Sequence, residues 1–309
     1  MEEIRHFLEG HKALALGGAV VGGAVVGALG VLGWTAFHKN DAGPLTPPVD
    51  PSSFTKKNHV YLLIPPRLGA VPSISPFCVK LETWFRMANI PYEVVETMSP
   101  SPSKQTFPYI YLNGEETADS RFIIEKCAQR FGKRLDNHLT EMEKAIFVAY
   151  SHMIEEHFVI TYAWHRYTLG ADTFWKNFMP YERLGPMGKR MAGAREFMRK
   201  GIQERAWLRG IGRHSPEEIY RLAEEDLQSL STYLGNREFF FGREPSVIDC
   251  TLFAHLCQLL CLDVDFPPKK KLQSEWKNLA DYVQRIKIRF YPDWNLVCSP
   301  KANGTDNRN

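Results

Sequence analysis

The sequence predicts an α/β domain followed by an all-α domain, with an uncharged apolar segment ahead of both. Three observations carry this prediction. Residues 13 to 37 hold no charged side chain. Residues 57 to 132 alternate short β-branched and aromatic runs with helical spacing and turn signals. Residues 139 to 294 then read as one helical pattern after another.

The segment Ala13 to Phe37 runs for 25 residues, enough to cross a hydrocarbon core of roughly 30 Å as a helix. Lys12 and Lys39 flank it, and Trp34 and Phe37 stand at one end as interface anchors. The run is too long for a cleaved leader's apolar core, and its basic start is weak. It therefore predicts a single-pass membrane protein. Gly18-x-x-x-Gly22 and Gly23-x-x-x-Gly27 form a small-residue face, which favours close helix approach and a homodimer. Lys39, Lys56 and Lys57 follow the span, against Arg5 and Lys12 before it, so charge places the large C-terminal part in the cytosol. Residues 40 to 56 carry Pro44, Pro47, Pro48 and Pro51 and read as an extended linker.

The α/β domain begins with the strand His59 to Ile64. Ser75 then stands as N-cap and Pro76 as first residue of a helix reaching about Asn89, with Phe77, Leu81, Trp84, Phe85 and Ala88 at helical spacing. Ile90-Pro91 ends it, and Tyr92 to Glu96 is a second strand. The Ser- and Pro-rich stretch Met98 to Thr106 predicts a loop. Tyr109 to Leu112 and Glu115 to Thr117 flank Asn113-Gly114, a hairpin signal. Asp119-Ser120 opens a helix through Ile123, Ile124, Cys127 and Phe131, which Gly132 closes. This order of elements is that of a thioredoxin-like domain.

In the all-α part, helices are expected near 140–167, 188–209, 216–234, 246–262 and 273–290. Ser215-Pro216-x-Glu218 and Ser246-Val247-Ile248-Asp249 are capping patterns. Residues 295 to 309 are polar and predicted disordered.

Composition excludes several functions. Hydrophobic residues make up 44% and charged ones 24%, and a net charge of +3 is too small to argue for nucleic acid. The six cysteines, Cys78, Cys127, Cys250, Cys257, Cys261 and Cys298, form no CxxC pair and no zinc spacing, and read as free thiols in a reducing compartment. His152, Glu155, Glu156 and His157 share one predicted helix; a single face supplies too few ligands for a metal, and a salt-bridging face is expected. Lys269-Lys270-Lys271 reads as a solvated loop.

The strand, the Ser75-Pro76-Phe77-Cys78 helix start, Phe107-Pro108 before a hairpin and Asp119-Ser120 together resemble the N-terminal half of glutathione transferases. An all-α domain after a thioredoxin-like one is that family's layout. The resemblance implies glutathione as cofactor and a cis proline at Pro108. It implies cysteinyl-backbone pairing at Phe107 and γ-glutamyl binding at Asp119 and Ser120. It also implies an activating group near Ser75. Two readings of Ser75 stand: an N-cap, or a hydroxyl that lowers a thiol pKa. Cys78, in the first turn of a helix where a thiol pKa can fall, reads either as a reactive centre or as a buried structural thiol.

A narrower resemblance covers residues 57 to 294. Val71 to Thr83, Met87-Ala88-x-Ile90-Pro91-Tyr92, Glu155-Glu156-His157-Phe158, Gly210-Ile211-Gly212-Arg213 with Ser215 to Tyr220, and Asp249 in its cap are similar to the failed axon connections family. That family is related to metaxins and to cadmium-responsive worm proteins. It implies a role in axon development with no settled catalytic activity, hence binding or scaffolding at a membrane. Two alternatives stand beside it: an active glutathione-dependent transferase, and a metaxin-like component of protein import at the mitochondrial outer membrane.

Overall fold

The computed structural model describes residues 49–67, 69–178 and 186–299. The predicted membrane span at 13–37, most of the predicted linker and the end of the predicted tail lie outside the described residues. Among the described residues no helix is long and apolar enough to cross a membrane.

The first domain is a four-stranded sheet in the order β2-β1-β3-β4. Strand β1 (Val60–Ile64) pairs parallel with β2 (Tyr92–Glu96) and antiparallel with β3 (Tyr109–Leu112), and β3 pairs with β4 (Glu115–Ala118). Helix α1 (Pro76–Met87) makes the crossover between the parallel strands. The β3–β4 hairpin turns on Asn113 and Gly114, with φ of 54° and 83°, the positive pair that a two-residue turn of matching twist requires. Residues 97–108 form the predicted loop rather than a second crossover helix. Helix α2 (Ser120–Phe131) closes the domain, ending at Gly132 with φ 65°.

Helix α1 is buried on nearly every side: its first ten residues, Pro76 to Phe85, are all buried. Leu81, Trp84 and Phe85 face the core of the sheet. Its polar face is covered by the second domain, chiefly by α8 (Val247–Leu260). The polar side chains there are matched rather than solvated, as burial of charge demands. Lys80 pairs with Glu155 at 2.7 Å, Glu82 with Arg67 at 2.9 Å, and Thr83 meets the Tyr291 hydroxyl at 2.8 Å.

The second domain holds α3 (Glu141–His152), α4 (Val159–Tyr167), α5 (Ala171–Phe178), α6 (Pro186–Leu208), α7 (Pro216–Leu234), α8, α9 (Pro268–Ser274), α10 (Lys277–Phe290) and α11 (Trp294–Cys298). The expected helix over 140–167 is present but not uniform, because Met153–Phe158 widens into a π-helical turn. Ser215 and Glu218 exchange the expected capping bonds at 2.9 and 3.3 Å.

Three expectations change. Lys269 to Lys271 lie on α9, not in a loop: Lys269 donates to the Leu262 carbonyl and Lys271 pairs with Glu224. The predicted tail begins folded, since α11 buries Trp294, Val297 and Cys298 against the helical core. The end of the predicted linker is docked too. Asp50 caps a 3-10 turn over Pro51–Ser53, and Phe54 packs on Tyr61 and Tyr111 with ring centroids 4.6 and 5.1 Å apart. Aromatic side chains in these polar stretches supply the burial that composition alone does not register.

Candidate functional site

The loop after β1 leads into α1, with Ser73 held against the second domain, Ser75 at the helix start and Cys78 in its first turn. Ser75 occupies the N-cap position with extended backbone, yet its side chain makes no capping bond. Its Oγ is buried and has no hydrogen-bond partner among the described residues. The Val79 amide donates to the Ser75 carbonyl at 3.2 Å, starting the helix.

Cys78 is fully buried in the core of the first domain. Burial pushes its thiol up to about 12, opposite in sign to the lowering that a helix N-terminus gives. Loss of hydration outweighs the opposing pull of the Ser75 and Ser73 hydroxyls on the thiol. Cys127 and Cys298 are likewise pushed up to about 12 by burial.

The Phe107–Pro108 peptide is cis. Phe107 is buried, and Thr106 before it carries a buried Oγ1 without a hydrogen-bond partner among the described residues. The Asp119 amide donates to the Pro108 carbonyl at 3.4 Å, which brings Phe107-Pro108 beside Asp119-Ser120. Asp119 has φ 82°, a region an L residue seldom adopts, and its carboxylate accepts the Arg121 amide at 2.9 Å as the N-cap of α2. Strained backbone of this kind marks a place where the surroundings impose a conformation. Asp119 is half-buried and Ser120 buried, so this end of the site is more open than Ser75.

The second domain contributes residues that the sequence reading missed. Gln258 on α8 donates to the Ser73 carbonyl at 2.9 Å. Arg166 on α4 donates to the Ile74 carbonyl at 3.3 Å, to Gln258 Oε1 at 3.2 Å and to the Gln258 carbonyl at 3.2 Å. The loop carrying Ser75 is therefore held shut from above by a guanidinium and an amide. The signal for Gln258 was its place inside an otherwise apolar run. A polar group there needs a buried partner.

The predicted charged face at Glu155, Glu156 and His157 also divides among partners. Glu155 pairs with Lys80, Glu156 with Arg209, and His157 Nδ1 lies 2.7 Å from Asp226. The π-helical turn fans these consecutive residues toward different elements. Among the described residues no group of three ligands suits a metal ion.

Comparison with known proteins fits this architecture. A glutathione S-transferase N-terminal domain family matches residues 76–173, and a glutathione S-transferase C-terminal domain family matches residues 223–286. Failed axon connections of Drosophila melanogaster is 34% identical over 258 residues, covering 79% of this chain and 61% of that protein. The chain belongs to the glutathione-transferase-like family that includes failed axon connections. The likeness extends to metaxin-2 of Mus musculus, 22% identical and covering 69% of this chain and 81% of that protein. It also extends to an isoprene-epoxide–glutathione S-transferase of Rhodococcus sp., 26% identical and covering 71% and 94%. Among solved structures, a beta-etherase from Sphingobium sp. superposes with TM-score 0.52 at 15% identity, covering 74% of this chain and 95% of that one, which shows the shared fold. This chain spans 61% of the length of failed axon connections, so its family membership speaks for these two domains.

Proposed function

We propose that this chain is a membrane-anchored, glutathione-transferase-like protein whose task is binding or scaffolding, held to its membrane by residues 13–37. The clamp on the Ser75 loop carries this reading. A transferase of this architecture presents an activating hydroxyl to a thiolate in an open cleft. Here Gln258 and Arg166 occupy the carbonyls of Ser73 and Ile74, and Ser75 is buried beneath them. Cys78 offers no thiolate either, because burial holds its proton.

Glutathione fits the other end. The cis Phe107–Pro108 peptide and the Asp119-Ser120 helix start lie together, with Asp119 half-buried at their edge. Backbone at Phe107 pairs with the cysteinyl unit, and the N-terminus of α2 with Ser120 holds the γ-glutamyl carboxylate. The protein thus binds the peptide without activating its sulfur.

Calorimetric titration of glutathione into the full chain tests this reading. Weak saturable binding is expected, lost in Asp119→Ala and retained in Ser75→Ala, with no turnover of an electrophilic substrate. A second reading, an active glutathione-dependent transferase, draws on the orphaned Ser75 hydroxyl, which a bound thiolate would satisfy. Turnover abolished by Ser75→Ala would replace the scaffolding reading with that one. Imaging against mitochondrial and plasma-membrane markers decides whether the membrane is the one implied by the metaxin likeness.

A further inference from the structure

Three other buried or half-buried guanidiniums have acceptors. Arg67 holds Glu82 and the Pro72 carbonyl, Arg166 holds Gln258 and the Ile74 carbonyl, and Arg86 holds Asp293. Arg205 on α6 is different. It is 9% exposed, and its buried Nη2 has no hydrogen-bond partner among the described residues. An arginine keeps its proton at neutral pH and offers five donors, so leaving it buried and unmatched is costly.

Its surroundings deepen the mismatch. Arg209 stands one helical turn further along and adds a like charge. The acid nearest in effect, Glu156, is already committed: Arg209 takes both its carboxylate and, at 2.9 Å, its carbonyl. Arg205 thus contacts no carboxylate among the described residues, and Glu156 acts on it only through its field. Burial first, and the Arg209 charge second, pull Arg205 down to about 9, so it still carries its proton at pH 7. Arg209 and Glu156 are each about a third exposed, so the edge of the cluster reaches solvent.

We infer that Arg205 and Arg209, with Glu156 as a displaceable gate, form a binding site for a small oxyanion, a carboxylate or phosphate group of a ligand. The planar forks of two guanidiniums match the paired oxygens of such a group and supply charge-assisted hydrogen bonds. The incoming oxyanion satisfies Arg205 and competes with Glu156 for Arg209. The site lies on the π-helical turn and the end of α6 and uses none of Ser75, Pro108 and Asp119. It stands whether or not glutathione binds the first domain.

The test is calorimetric titration of inorganic phosphate, and separately of acetate, into the detergent-solubilised full chain, with chloride holding ionic strength constant. Saturable binding in the millimolar range or tighter is expected. Arg205→Met should weaken it about tenfold or more, as loss of charge-assisted bonds implies. Glu156→Gln should strengthen it, because Arg209 then loses its competing carboxylate. Preference for phosphate marks a phosphorylated ligand, and preference for acetate a carboxylic one. No saturable heat from either anion overturns the inference, as does unchanged affinity in Arg205→Met. Should Arg205→Met fail to fold, Glu156→Gln decides: absence of strengthening overturns the site.

Discussion

Gln258 donates its side-chain amide to the Ser73 carbonyl at 2.9 Å, so a residue of α8 closes the loop that leads into α1. The two lie 185 residues apart in sequence. Gln258→Ala leaves that buried carbonyl and the Arg166 guanidinium short of partners. The expected cost is about 1–3 kcal/mol, read by urea denaturation. Thiol labelling followed by peptide mass spectrometry should show Cys78 reacting faster in the variant, with Cys127 unchanged. Equal rates at Cys78 would mean that the loop is not held by this bond.

Lys80 and Glu155 join the domains through a nearly dry ion pair, with side-chain exposures of 5% and 17%. Removing one partner strands the other. Glu155→Gln should therefore destabilise by about 3 kcal/mol, whereas the double replacement Lys80→Met with Glu155→Leu should come close to wild type. Denaturation of the three chains measures the difference. A double variant no better than the single one would show that the pair is not the source of the cost.

His255 is buried between the Tyr162 hydroxyl, 3.0 Å from its Nδ1, and the edge-on ring of Phe77. Burial first, then the Lys80 and Arg166 charges, lower its pKa from 6.5 to about 3. A depressed pKa contributes stability that is complete above the unfolded value and is lost as pH falls toward the folded one. The protein should weaken progressively below pH 6.5, and the His255 ring resonances should not titrate at pH 5. A ring that titrates near 6.5 would place it in contact with water.

His157 works with the opposite sign. Its bond to Asp226, outweighing its own partial burial, raises its pKa above 6.5. A raised pKa contributes stability that is complete below 6.5 and is lost as pH rises through the folded value. His157 is more than a third exposed, so solvent screens the effect and keeps it small. NMR titration should place its midpoint above 6.5, and Asp226→Asn should return it toward 6.5. An unmoved midpoint would show that another group sets it.

Local chemistry wrote much of this fold into the sequence. Asn113-Gly114 announced its hairpin because few other dipeptides adopt two positive φ values in succession. Ser246 and Asp249 announced the start of α8, where Asp249 accepts the Ser246 amide at 2.8 Å. The structure then gave Asp249 more than a cap: the Phe240 amide at 2.7 Å and the Tyr282 hydroxyl at 2.8 Å also reach its carboxylate. Periodicity found α3 with α4 but not the π-helical turn between them, since one residue of slack leaves the apolar spacing almost unchanged.

The sequence by itself determined the strand and helix order and the family, and through the family resemblance it implied the cis bond at Pro108. These rest on neighbours a few residues apart, or on motifs that carry their own geometry. Only the tertiary structure decided that Ser75 is covered, that burial raises the Cys78 pKa and that Arg205 Nη2 has no hydrogen-bond partner among the described residues. Each of those depends on what a distant element places against the residue. Burial and charge pairing are properties of the packed chain, and residues such as Gln258 and Ser73 become neighbours only when the two domains close on each other.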